Sequence, residues 1–247
     1  MGTEKLVEGF RAEEYLGFWG KARPLLHTGP QWHPAAFHLL DVAASADAIL
    51  AVRPVTRARA ARLLAMKDSE ATALVVALAG LHDLGKFARA FQAKCPELWP
   101  SVLGPLDAHT ISSTHHTQDG LHLWEHYLSS RLADSQWLSD VGTLLPLMQA
   151  TFGHHGKPAG SSLDSVQWVF GGGGLQAAED CARDVLALLE PVSGITPGLS
   201  QRFTIASWWI GGLISLADWI GSSQEWFPYA DPSVGLRTYW LEARHRA

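Results

Sequence analysis

Six histidines and two aspartates stand where such side chains are unusual. His38 lies inside the apolar stretch AFHLLDVA. His82 and Asp83 close the apolar run of LAGLHDLGKFARAFQ. His115 and His116 open a helical pattern in SSTHHTQDG, His154 and His155 close one in FGHHGKP, and Asp218 sits within SLADWIGS, the most apolar segment of the chain. Singly, most have ordinary explanations: a helical histidine hydrogen-bonded in a core, a histidine pair in a solvated loop. Asp218 is harder to dismiss, because a buried carboxylate without a cation or several donors is very costly. No lysine or arginine occurs between Phe203 and Arg237, so a metal ion or a distant arginine must serve. Imidazole and carboxylate suit Zn, Fe, Mn, Ni or Co. The set is too large for one tetrahedral ion and suits two ions roughly 3.5–4 Å apart with a carboxylate between them. Asp83 is the best bridging candidate, since it directly follows a histidine of ligand type. Spacing establishes compatibility; convergence requires a fold.

The elements that must supply that convergence read as helices. Apolar periodicity predicts helices over 34–51, 56–66, 69–81, 117–133, 137–151, 175–190 and 199–221. A proline opens the first, and Ser69 with Glu70 suggests the N-terminal signal of the third. Strand alternation is absent. Residues 95–114, with three prolines, read as a long loop, and 153–174 as another. Glycines 171–174 lack both a preceding strand and a following Gly-Lys-Ser/Thr, so a flexible connector is expected rather than a phosphate loop.

At 47% hydrophobic and 17% charged residues the chain is globular, not disordered. A net charge of −5 gives no overall attraction to nucleic acid; any such binding needs a local basic patch, a metal site or another chain. Arg53, Arg57, Arg59 and Arg62 form a candidate stripe, more simply read as a solvated helix face. Cys95 and Cys181 lack metal-finger spacing and are expected as reduced thiols. The apolar window 205–220 is short of the ~20 residues of a membrane span and contains Asp218, so a core helix is expected.

The order H…HD…H…HH…D resembles the HD superfamily of metal-dependent phosphohydrolases. The wording is closer still: WGK (19–21), FHLLDVA (37–43), LHDLGKFARAFQ (81–92), GHHGKP (153–158) and ADWIGS…WFPY (217–229) are similar to the HD nuclease domain of the helicase-nuclease of type I CRISPR systems. The likeness runs from about Gly17 to Tyr229. It implies an all-α HD-domain helical bundle with a central two-metal site, residues 1–247 forming a single nuclease domain. It implies that His38, His82, Asp83 and Asp218 bind one ion, and Asp83, His116, His154 and His155 a second. The ions would be divalent transition metals (Fe, Mn, Ni or Co, with Mg also admissible). His116 is preferred to His115 because the family histidine lies four residues before a small residue, matched by Gly120. Asp83 and Lys86 would be catalytic, Lys86 corresponding to the family lysine near the scissile phosphate. Asp41, three residues after His38, would orient a ligand, cap a helix or face solvent.

The implied reaction is hydrolysis of single-stranded DNA in a cytoplasmic setting, without a membrane, the two ions activating water and phosphate. The implied partners are single-stranded DNA, a helicase portion in cis or trans, and a crRNA-guided surveillance complex. The helicase portion that follows in the family is absent from these 247 residues, so a stand-alone subunit or an excised domain is expected. Two other readings use the same ligands. One is a nucleotide phosphohydrolase, which needs a closed base pocket; the other is a non-catalytic metal-binding recruitment module. The phrases WGK and WFPY favour the nuclease.

Overall fold

The computed structural model describes residues 13–25, 28–107, 115–132, 141–156, 159–160, 162–189 and 199–247. Two short antiparallel strands, β1 (Trp19–Lys21) and β2 (His33–Pro34), lead into α1 (Ala35–Val52). Then come α2 (Pro54–Leu64), α3 (Asp68–Ala79) and the short α4 (Arg89–Gln92). Helix α5 (His116–Leu123) runs through a π-helical turn, Trp124–Leu128, into α6 (Ser129–Arg131). Helices α7 (Val141–Phe152), α8 (Val166–Leu189), α9 (Ser200–Gly221) and α10 (Leu236–Arg246) complete the bundle. The fold is all-α, as expected, with the strand pair as a minor addition.

Helix α1 is the axis. Its residues Ala35 to Ala46 are all buried, so it is apolar all round, the pattern of a helix enclosed by its neighbours. Helices α3, α9 and α10 pack on it. Fully buried aromatics, among them Phe18, Phe37, Phe87 and Tyr239, fill the gaps, each contributing roughly 1.5–3 kcal/mol by burial. Phe37 stacks on Tyr239 with ring centroids 4.0 Å apart. Cys95 and Cys181 are free thiols.

Several expectations need correction. Ser69 is inside α3; Lys67 is its N-cap, and Glu70 accepts a hydrogen bond from the Lys67 amide at 3.1 Å. The glycine run is not a connector. After a kink at Gly171 (φ 67°), Gly172 to Gly174 continue in α8, where a Cβ on Gly173 would collide with the Val102 carbonyl. Close backbone packing therefore outweighs the ~1 kcal/mol per residue by which glycine disfavours helix. The loop at 95–107 holds 3₁₀ turns at Pro96–Leu98 and Ser101–Leu103; 108–114 and the helix start expected at 137 lie outside the described residues. Helix α9 has 22 residues, so both it and α1 are long and apolar enough to cross a membrane. Helix α1 spends that apolarity on the core. Helix α9 buries Phe203, Ile210 and Ile214 on one face and exposes Trp208 and Trp219 on the other.

Helix α10 was not anticipated from the sequence. It is fastened to α1 by the Tyr239 hydroxyl, which donates to Asp41 Oδ1 at 2.6 Å in the buried core. A hydrogen bond to a buried charge contributes about 1.5–3 kcal/mol. Tyr239→Phe is therefore expected to lower stability by about 2 kcal/mol, read as a lower urea midpoint at unchanged m-value. An unchanged midpoint would show that Asp41 is fully satisfied by its other partners.

Candidate metal centre

Helix α3 ends at Ala79 and the chain turns through Gly80–Asp83 into a 3₁₀ turn, Leu84–Phe87. That turn delivers His82 and Asp83 to the middle of the bundle, with Asp83 only 3% exposed. Helix α1 brings His38, the last turn of α9 brings Asp218, the start of α5 brings His116, and the end of α7 is followed by His154 and His155. Two glycines permit the approach. A Cβ on Gly221 would sit 2.9 Å from the Val42 amide nitrogen, so α9 can rest its last turn on α1 only with no side chain there. A Cβ on Gly85 would overlap the His116 carbonyl oxygen and lie 2.6 Å from the Gly120 nitrogen. Here the HD turn and α5 cross backbone to backbone.

The two Asp83 oxygens face different histidines. Oδ2 is 3.3 Å from His38 Nε2 and 3.4 Å from His82 Nε2. Oδ1 is 3.3 Å from His116 Nε2 and 3.5 Å from His154 Nε2. Asp218 Oδ1 joins the first group, 3.3 Å from His38 and 3.6 Å from His82. His155 joins the second, its Nε2 3.2 Å from His116 Nε2. Two clusters result, His38–His82–Asp218 and His116–His154–His155, each with its ligand atoms within 4.8 Å of one another. His115 is not among them: it is the exposed N-cap of α5, its ring accepting from the Thr117 amide.

The protons are arranged for cation binding. His82 Nδ1 donates to the Ala79 carbonyl at 2.7 Å and His154 Nδ1 to the Thr151 carbonyl at 3.0 Å. Each Nε2 lone pair is then turned toward the carboxylates, the orientation a ligand histidine needs. His82 Nε2, His154 Nε2 and Asp83 Oδ1 are buried without a hydrogen-bond partner. Acceptors that converge in a buried pocket need a cation or a proton between them, so the residues fit a metal centre. Burial lowers the His38 and His154 pKa values to about 4 and that of His116 to about 3, leaving neutral imidazoles. Burial opposes charge on His82 too, but the Asp83 and Asp218 carboxylates outweigh it and raise the pKa to about 9. Against burial, Lys86 and His82 hold Asp83 well below the usual carboxylate range, while His38 and His82 do the same for Asp218.

Lys86 Nζ lies 2.7 Å from Asp83 Oδ2. Asp41 is buried beside the centre, not a ligand within it. It accepts from Tyr239 and from His33 Nε2 at 3.1 Å, and the Ala230 amide donates to His33 Nδ1 at 3.2 Å, which fixes that tautomer. Lys21 Nζ donates to the Gly221 carbonyl at 2.7 Å and lies 3.9 Å from Asp41 Oδ2. Burial lowers the Lys21 pKa to about 8, against the pull of Asp41. The sequence reading assigned nothing to His33, Lys21 or Gln92. Gln92 is fully buried, its amide donating to the Trp19 carbonyl at 2.9 Å and the Lys86 carbonyl at 2.7 Å. Its place at the end of LHDLGKFARAFQ was its only sequence signal.

The centre opens into a cleft of about 500 Å³, walled by β1 and the residues after it, Phe91 and Lys94, and the segment after α9.

The profile of the family described as "Cas3, HD domain" matches residues 19–227. The CRISPR-associated endonuclease/helicase Cas3 of Escherichia coli (strain K12) is 28% identical over 225 residues, 83% of this chain and 25% of that protein. The protein of the same description from Thermus thermophilus is 42% identical over 82 residues, 33% of this chain and 8% of that protein. Among solved structures, the Thermus thermophilus cas3 HD domain in the presence of Ni2+ superposes with a TM-score of 0.64 at 26% identity, over 95% of this chain and 88% of that one. The chain spans about a quarter of the length of the Escherichia coli relative.

Proposed function

This chain belongs to the Cas3 HD-domain family, and on that premise we propose that it is a metal-dependent nuclease hydrolysing phosphodiester bonds of single-stranded DNA. The observation that carries the reading is the division of Asp83, one oxygen toward each histidine cluster. His38, His82 and Asp218 would hold one divalent cation, His116, His154 and His155 another, with Asp83 shared. When bound, such cations supply Lewis acidity to a phosphate oxygen and acidify water near neutral pH.

The remaining work falls to the chain. The backbone carbonyls of Ala79 and Thr151 hold the tautomers of His82 and His154. Lys86, 8% exposed, stands at the cleft floor with its ammonium 5.6 Å from the centre of the Phe91 ring. It can turn from Asp83 to the phosphate, donating to charge that grows in the transition state. A preorganised donor of this kind is worth about 10²–10³ in rate. The shared carboxylate is buried, so a phosphate must come well into the cleft to meet it, which a flexible single strand does more readily than a stiff duplex. Residues 1–247 are read as one nuclease unit. The remaining three-quarters of such a relative would supply the helicase, in cis or in trans, and a crRNA-guided complex would deliver the strand.

The test is cleavage of circular single-stranded DNA by the purified chain with Mn, Co, Ni, Mg or Fe(II), beside a panel of nucleotides. The expected result is DNA cleavage that depends on added metal. Hydrolysis of nucleotides alone would indicate a phosphohydrolase with a base pocket. Bound metal with no hydrolysis would indicate a recruitment module.

A further inference from the structure

The overall charge of −5 leaves open how a polyanion is held. The arginine stripe of α2 does not answer it: Arg57 is engaged by Asp68 at 3.3 Å and by the Leu50 carbonyl, Arg59 lies over the Trp209 ring, and neither lines the cleft. The cleft itself does. Its walls carry Lys21, Arg23, Lys86 and Lys94, and its only acidic lining residues among those described are Asp83 and Asp218, both in the metal centre.

These cations come from two segments of the lining, Lys86 and Lys94 from the stretch through α4, and Lys21 with Arg23 from β1 and the residues after it. Lys94 follows α4, its ammonium 4.8 Å from the Phe91 ring centre, and that same ring carries Lys86. Phe91 in turn packs on Trp19, centroids 4.5 Å apart. In the other segment, Lys21 has one N–H on the Gly221 carbonyl and a second toward Asp41, leaving the third of its donors for a ligand. Arg23 is exposed, but its backbone is clamped. Its amide donates to the Tyr229 hydroxyl at 3.2 Å, and its carbonyl accepts from the Gln224 side chain at 2.8 Å. Gln92 ties the two segments together through the Trp19 and Lys86 carbonyls. Clamped backbone and buried anchors lower the entropy lost on binding.

We infer that Lys94, after α4, and Lys21 with Arg23, at the end of β1 and just after it, hold the phosphates flanking the scissile one, so that a single strand runs past the metal centre along these two cationic segments. This rests on the nuclease reading and extends it from the reacting phosphate to its neighbours.

The test uses the Mn(II)-loaded chain and a phosphorothioate oligothymidylate, which resists hydrolysis. Binding is measured between 50 and 300 mM salt. Each phosphate contact on a single strand contributes about 0.7 to the slope of log K against log salt. The double variant Arg23→Ala/Lys94→Ala is expected to lose about 1.4 from that slope and to bind about 20-fold more weakly near 0.1 M salt. The conservative pair Arg23→Lys/Lys94→Arg should keep the slope, and the α2 pair Arg53→Ala/Arg62→Ala should change neither quantity. Both replaced side chains are exposed, and an unchanged Tm verifies the fold of the double variant. Unchanged slope and affinity in that variant would overturn the track, as would an equal loss in the α2 pair. A wild-type chain that binds with the stated slope but never cuts DNA would instead refute the nuclease reading and leave the track standing.

Discussion

Asp83→Ala is expected to abolish metal-dependent hydrolysis, with a loss of at least about 10³ in rate, larger than that for a single preorganised donor. The reason lies in the two faces of one carboxylate. Its Oδ2 lies against His38 and His82 and its Oδ1 against His116 and His154, so one substitution removes the anion from both clusters. Lys86 loses its 2.7 Å partner as well. Removing one member of a buried ion pair costs about 3–5 kcal/mol, so the variant should also melt earlier. Thermal shift separates the two effects. In the wild type a saturating divalent ion should add about 2.7 kcal/mol at 100 times its Kd. In Asp83→Ala that metal-dependent increment should vanish, whatever the starting Tm. A variant that keeps both the increment and cleavage would disprove the shared role of Asp83.

Gly85→Ala adds a single methyl and is expected to do comparable harm by a different route. The new carbon would overlap the His116 carbonyl oxygen and press on the Gly120 amide. Both are backbone atoms and cannot rotate away, so α5 must shift. Overpacking of this kind costs typically 1–3 kcal/mol. The shift also draws His116 from Asp83, now 3.3 Å away. Misplacement by about 1 Å is worth around 100-fold in rate. Denaturant titration and steady-state cleavage should therefore fall together. Gly85→Ala with wild-type kinetics and a wild-type midpoint would mean that the crossing is looser than the structure indicates.

What the sequence disclosed follows from local physics. His82, Asp83 and Asp218 were legible because polar groups in apolar runs need partners, and the principal helices because their periodicity is local. Their meeting was not legible, since it depends on Gly85 and Gly221 letting backbones touch across 35 and about 180 positions of chain respectively. The glycines at 171–174 misled for the same reason: their helicity is imposed by Val102 and neighbours remote in sequence. Helix α10 carries the polar composition of a surface segment, and the Tyr239–Asp41 bond with the Phe37–Tyr239 stack reveals that it braces the axis helix. Gln92 looked like the end of a motif, and its importance lies in two carbonyls 6 and 73 residues away.

That glutamine is a fixed spacer. One carboxamide joins the peptide after Trp19 to the peptide after Lys86, so β1 and the HD turn are held at a set separation by protein alone. The backbone beside the metal centre is therefore placed by the chain before any ion arrives, and exchanging one divalent ion for another leaves that spacing to Gln92.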